Sequence, residues 1–300
     1  MVYTVTFNPA IDYTVSLTQL RSGAVNRAQS EWVRFGGKGI NVSTVLNELG
    51  VPNVALGFLA GFTGEAIEQG LAAAGIHTDF VRLPEGLTRI NVKIKAGQET
   101  EVNGRGPDIG PQAMEALLQK LDALGEGDVL VLAGSVPASL PGDTYQRILA
   151  RLEGRGVCAV VDAEQELLCG VLAYRPFLIK PNQAELGAIF GRALATDEEV
   201  RACAAQLQQR GARNVLVSMA GDGAMLLSEE GRVYRIGTPR GTVVDSVGAG
   251  DSMVAGFLAG WLQAGSYEQA LRLGAAAGSA TAFSPGLAKR GEVLRLLDAF

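Results

Sequence analysis

The residues best equipped for chemistry sit in one turn. In TVVDSVGAGDSMVAGFLAGWL a short β-branched stretch enters glycines and leaves with Met253, Val254, Phe257, Leu258, Trp261 and Leu262 at the spacing of one buried helical face. Such a turn delivers Gly248, Ala249 and Gly250 to a helix N-terminus, where free N–H groups and the positive end of the helix dipole hold an anion. Asp251 follows at once. One reading makes it an N-cap carboxylate. The other makes it the base of a phosphoryl transfer, taking a proton from an attacking hydroxyl while the N–H groups meet the developing charge. GxxxxGK[ST] is absent, and Met253 stands where a dinucleotide fingerprint needs its third glycine, which weakens ordinary P-loop and Rossmann readings.

A second turn, Phe35-Gly36-Gly37-Lys38-Gly39-Ile40-Asn41, leads into Val42, Val45, Leu46 and Leu49 on one helical face. Its glycines allow a ligand close to the backbone, and Lys38 and Asn41 offer a charge and an amide; a tight turn with a solvated lysine is the plainer reading. Two clusters follow apolar runs: Lys180-Pro181-Asn182-Gln183-Ala184-Glu185 and Ser218-Met219-Ala220-Gly221-Asp222-Gly223. Ligands of open α/β sheets bind beyond the carboxyl ends of strands, which would put both at the crevice of Gly250. Taken singly, either is also an ordinary cap or turn.

The elements that must position these groups are legible as alternation. VYTVTF, VALGF, DVLVLAG, VCAVVD, FLIK and NVLVSM read as buried parallel strands. Residues 111–124, 142–153 and 197–210 carry helical periodicity between them and read as crossover helices of a doubly wound α/β sheet. Residues 12–35 and 88–102 break the pattern; INVKIK alternates apolar with polar and basic residues, as in a small antiparallel lid covered on one face. Without repeats or linker-like runs, residues 1–300 are expected to form one domain.

Composition narrows the function classes. Hydrophobic residues at 47% and charged residues at 19% suit a buried sheet. A net charge of -5 disfavours nucleic-acid partners, which need a cationic face. The N-terminus has neither basic leader nor long apolar core and no run reaches membrane-spanning length, so the cytoplasm is expected and no membrane partner. Cys158, Cys169 and Cys203 lack zinc or dithiol spacing and read as buried small hydrophobes. A lone His77, read as structural, excludes HExxH and two-histidine metal sites.

Taken in order, Asn8-Pro9-Ala10-Ile11-Asp12, Gly36-Gly37-Lys38-Gly39, Thr88-Arg89-Ile90-Asn91-Val92-Lys93 and Asp245-Ser246-Val247-Gly248-Ala249-Gly250-Asp251 resemble the PfkB (ribokinase-like) carbohydrate kinases over nearly the whole chain. Within that family they are most similar to the branch acting on fructose 1-phosphate. The resemblance implies a three-layer α/β/α sandwich with a small β lid, ATP and Mg²⁺ as cofactors, and a sugar phosphate as substrate. It implies Asp251 as base and Gly248, Ala249 and Gly250 as anion hole. Asp12, Gly37, Lys38, Asn41, Arg89 and Ser135 would meet the sugar phosphate, with Lys38 and Arg89 near its existing phosphate. Lys180, Asn182, Ser218, Gly221, Gly223 and Gly250 would line ATP, and Asn182 and Glu185 would hold magnesium through water. Ala220 and the 278–280 stretch depart from the family pattern near the adenine. Tagatose 6-phosphate and fructose 6-phosphate are alternative substrates. A noncatalytic sensor and an NAD-dependent oxidoreductase on the same core fit less well, given intact Asp251 and the missing fingerprint glycine. The alternating INVKIK strand leaves room for a homodimer through the lid, by addition to a partner's sheet edge.

Overall fold

The computed structural model describes all residues 1–300. In chain order its elements are β1 (Val2–Thr6), β2 (Ala10–Ser16), β3 (Ser30–Gly36), α1 (Lys38–Glu48), β4 (Asn53–Ala60), α2 (Gly61–Ala73), β5 (His77–Thr78), β6 (Val81–Leu83), β7 (Arg89–Ala96), β8 (Gln98–Asn103), α3 (Pro111–Leu121) and β9 (Val129–Ala133). There follow α4 (Thr144–Arg151), β10 (Cys158–Asp162), α5 (Gln165–Gly170), β11 (Leu178–Ile179), α6 (Gln183–Ile189), α7 (Asp197–Gln209), β12 (Asn214–Ser218), β13 (Ala224–Leu227), β14 (Val233–Ile236), α8 (Ala249–Ala264), α9 (Tyr267–Ala282) and α10 (Arg290–Leu297).

Alternation along the central strands decides the layering. Leu130 and Leu132 of β9 face a core shared with Leu117, Ile148 and Leu207 of α3, α4 and α7. Their neighbours Val129 and Val131 face the opposite core, with Val45, Phe257 and Ala277 of α1, α8 and α9. Strands apolar on both faces need helices on both, so the sheet lies between two helical layers. Its order is β14-β13-β12-β11-β10-β9-β1-β4-β5, with β6 also on β4. Strands β12 to β5 along this path are parallel, while β13 and β14 join antiparallel. This is the expected three-layer sandwich of α/β type.

The lid is the separate sheet β3-β2-β7-β8. It is mixed, not wholly antiparallel as expected, because β2 and β7 run parallel. β7 lies between β2 and β8, so INVKIK has no free edge and cannot extend a partner's sheet. The burial of its alternation is also inverted: Asn91 is buried and Ile90 is 40% exposed. The polar face of this lid looks inward.

Helix α8 is buried all round from Asp251 to Gly260, more than a one-face periodicity predicts, whereas Leu262 beyond it is exposed. Small residues permit this depth. A Cβ on Gly256 would stand 2.5 Å from the Leu273 carbonyl oxygen, so α8 and α9 meet backbone to backbone and fix the N-terminus of α8. Of the cysteines only Cys203 is buried; Cys158 and Cys169 are half-buried, because they lie toward the margins of β10 and α5, and all three are free thiols. His77 is exposed at the sheet margin on β5. No helix is long and apolar enough to cross a membrane.

Candidate active site

Gly248 caps α8 in the left-handed region, with φ 82, a backbone angle that glycine adopts without a Cβ clash. The turn commits the Ala249 N–H to Ser246 O at 3.1 Å. The Gly250 and Asp251 N–H groups have no protein acceptor and make the anion cradle. Ala249, expected in that cradle by its N–H, therefore contributes its position and not its donor. Gly250 itself is helical; what it supplies is an open face, since a Cβ there would touch only the Lys180 ammonium at 3.2 Å.

Asp251 is not the N-cap. It sits three residues after Gly248 and caps nothing; its Oδ2 instead accepts from Asn41 Nδ2 at 2.8 Å. At 5% exposure the carboxylate has lost most of its hydration. Burial, reinforced by the negative charge of Asp162, pushes its pKa up to about 6, against the opposing Asn41 hydrogen bond and the Lys38 and Lys180 charges. A carboxylate so poised is half ionised near pH 6 and is mostly an ionised proton acceptor at neutrality.

Three cavities are lined by neighbours of Asp251 in chain or in space: Ala249 and Gly250, Lys38, and Asn41. The first, about 900 Å³, is lined by Asn182, Ser218, Gly221, Gly223, Ala249 and Gly250, among others. A bridge between Asn182 and Ser218 draws the two strand-end clusters together. Ala220 holds φ 47, and Gly223 has φ 93 with no space for a Cβ against Ile236 O, so this turn is backbone-shaped. Gly278 and Ser279 of α9 complete the wall. Lys180 does not line this cavity; it is buried below Gly250.

The second cavity, about 380 Å³, gathers Gly37, Lys38, Arg89, Ser135 and Glu185. Thr6 fixes its floor by accepting the Ile40 N–H at 3.0 Å, which seats the start of α1. Gly37 has φ 127, and a Cβ there would meet Thr6 Cγ2 at 2.6 Å. Arg89 donates through Nε to Asn8 O at 3.2 Å; burial pulls its pKa down while the Asp12 charge opposes. Burial works against the Lys38 charge, but Asp162, Asp251 and Glu185 outweigh it and raise its pKa. Asp12 and Asn41 line a third cavity under the lid, whose Asp12 carboxylate lies close enough to Arg89 of the second for its charge to act there. Asn91 donates to Asp12 Oδ1 at 2.9 Å.

Asn182 and Glu185 form a complete capping box on α6, each side chain bonded to the other's backbone N–H at 2.8 Å. This engages one Glu185 oxygen only, and the residue also borders the second cavity. No cluster of three metal-ligating side chains exists. The capping box leaves one Glu185 oxygen free, a single carboxylate of the kind through which a hydrated Mg²⁺ is commonly held.

Two residues of the site escaped sequence reading. Asp162 ends β10 and lies 3.4 Å from Lys38 Nζ and 3.3 Å from Lys180 Nζ through one oxygen. An acidic residue closing a buried parallel strand was the available signal. Arg34 of β3 pairs with Asp245 at 3.2 Å and also donates to Pro285 O, tying the lid to the segment before the cradle.

Comparison with known proteins bears on the family and the fold. Residues 5–291 match the profile described as pfkB family carbohydrate kinase. The chain is 47% identical to the 1-phosphofructokinase of Bacillus subtilis, over 99% of this chain and 97% of that one. It is 39% identical to the D-tagatose-1-phosphate kinase of Bacillus licheniformis, over 99% and 96%. Phosphofructokinase-2 from Escherichia coli, solved with substrates and products, superposes with a TM-score of 0.93 at 27% identity, covering 99% and 98%. That protein also occurs as a tetrameric inhibited form.

Proposed function

This chain belongs to the pfkB family of carbohydrate kinases, and from that premise we propose that it moves the γ-phosphoryl of ATP to the free terminal hydroxyl of a ketohexose 1-phosphate, fructose 1-phosphate before others. The observation that carries the reading is Asp251: a buried carboxylate beside two unengaged N–H groups, on the turn whose Ala249 and Gly250 line the large cavity, with Lys38 of the second cavity among the charges acting on it. A noncatalytic sensor would have no use for a carboxylate kept buried at that cost.

In the transfer, the sugar hydroxyl gives its proton to Asp251 as its oxygen forms a bond to Pγ. The bond from Pγ to the bridging oxygen breaks, and ADP leaves with that electron pair; Asp251 then returns its proton to solvent. Gly250 and Asp251 N–H groups meet the charge on the equatorial oxygens, which is where such donors act. Lys180 supports the same oxygens from below Gly250. Asn41 orients the base. Arg89 and Lys38, with Ser135, receive the phosphate already on the sugar, and Asp12 and the Gly37 backbone receive its hydroxyls. Ser218, Gly221 and Gly223 shape the nucleotide side. A hydrated Mg²⁺ near Asn182 and Glu185 would neutralise charge on the nucleotide phosphates.

Fructose 1-phosphate and tagatose 1-phosphate, the sugars in the relatives' names, share the C1 phosphate and differ in configuration at one ring carbon. A site that grips the shared phosphate admits both, so tagatose 1-phosphate is the second substrate. The whole chain is read as one kinase domain with a lid, working in the cytoplasm, where ATP and sugar phosphates occur. A homodimer through the lid belongs to the same reading, by its face and not its edge: Tyr13, Val33, Val92 and Val102 form one cross-strand row, in which Val33 and Val102 are 52% and 60% exposed. ADP release measured across fructose 1-phosphate, tagatose 1-phosphate, fructose 6-phosphate, tagatose 6-phosphate and free fructose tests the substrate. Turnover highest with the 1-phosphates is expected; preference for free fructose would overturn the reading.

A further inference from the structure

We propose that Asp162 is a positioning residue for phosphoryl transfer, holding Lys38 and Lys180 from one carboxylate oxygen so that the ammonium beside the cradle and the ammonium that receives the sugar's own phosphate keep a fixed spacing. The inference rests on the kinase reading above and extends it to a residue that lines neither cavity.

Asp162 is 1% exposed at the carboxyl end of β10. Its Oδ1 lies 3.4 Å from Lys38 Nζ and 3.3 Å from Lys180 Nζ, while its Oδ2 is buried without a hydrogen-bond partner among the protein atoms. A bridge kept only for stability would use both oxygens, because an unpaired buried oxygen costs free energy and a buried ion pair is often no better than well-packed hydrophobic residues. The lysines also differ in exposure. Lys180 is 5% exposed in its side chain and is enclosed, whereas Lys38 is 41% exposed and reaches into the second cavity from the Gly-rich turn. One oxygen therefore sets the distance between an enclosed cation at the exit of β11 and a partly exposed cation on α1. The Lys180 ammonium comes within 3.2 Å of where a Gly250 Cβ would stand, beside the cradle. Asp162, Lys38 and Lys180 are also the charged groups that face Asp251. The same carboxylate that spaces the cations raises the proton affinity of the base.

Asp162→Asn keeps the side-chain shape and removes its charge. With ATP and fructose 1-phosphate as probes, kcat should fall on the order of 10²-fold, the cost of displacing positioned groups by about 1 Å. The acid limb of kcat/KM should move to lower pH, because Asp251 loses a like charge. A folded variant with parental kcat and an unmoved limb would leave Asp162 a purely structural bridge and overturn the proposal. Since Lys180 would remain as an uncompensated buried cation, Asp162→Asn/Lys180→Met removes both charges and completes a double-mutant cycle with Lys180→Met. The double variant should be no worse than the more damaging single variant by more than a few-fold. Multiplied losses would show Asp162 acting apart from the lysine and would also overturn the proposal. Parent protein in the same assay separates the two readings: an inactive parent removes the kinase assignment, and an active parent with an unaffected variant removes only the positioning role.

Discussion

Replacing Asp251 by Asn should make the protein more stable and far less active, and both effects can be sized. The carboxyl is 95% removed from solvent and its pKa rises from 3.8 to about 6. Two units at about 1.4 kcal/mol each place the cost of keeping it ionised in the fold near 3 kcal/mol. The sign follows from the direction: a raised carboxyl pKa favours folding below the unfolded value, and the stability is lost as pH climbs through the folded value. The native protein therefore weakens between about pH 4 and 6 and stays at that level above. Asn carries no charge at any pH and still accepts from Asn41. Calorimetry should find the variant melting higher at about pH 8, by about 6 °C at roughly 2 °C per kcal/mol for a chain of this size, with the difference closing below about pH 4. In parallel kcat should drop by on the order of 10²–10⁴, and the parent's kcat/KM should fall tenfold per unit below its midpoint near 6. A variant that melts lower at pH 8 would refute the desolvation argument; one that retains kcat would remove Asp251 as the base.

Gly250→Val should fold, because its Cβ would meet only the flexible end of Lys180 at 3.2 Å, yet it should lose at least on the order of 10²-fold in kcat as the cradle is blocked; melting and turnover measured on the same sample check this. Arg89→Ala should weaken fructose 1-phosphate by about 1.5–3 kcal/mol, the loss of a hydrogen bond to a charged group, and leave free fructose nearly unchanged in kcat/KM. An equal loss for both sugars would make Arg89 a support of the Asn8 backbone. Glu185→Gln preserves the capping box, since Gln also serves at that position, so melting should hold within about 1 kcal/mol while the magnesium titration of activity shifts.

Strand and helix positions were readable because β-branched runs and helical periodicity reflect which faces are buried. The cradle was readable because Gly248 and Gly250 leave few other uses for such a turn. Other features depend on contacts distant in sequence. INVKIK suggested an apolar inner face, but the lid covers polar residues, so Asn91 turns inward onto Asp12 and Ile90 outward. The Asp251 carboxylate read locally as either a helix cap or a base; its hydrogen-bond partner, Asn41, arrives from a helix 210 residues earlier. The Ala249 donor is consumed within its own turn, a detail of backbone angle that no residue type announces. Asp162 looked like the end of a strand, and its importance appears only when two lysines from separate turns converge on it.

The central claim is a phosphoryl group delivered to a sugar that already carries one. Phosphorus NMR of a reaction containing ATP and fructose 1-phosphate follows that group directly. The account predicts two phosphomonoester signals of fructose 1,6-bisphosphate, growing in step with ADP. Accumulation of ADP with inorganic phosphate and unchanged fructose 1-phosphate would contradict it.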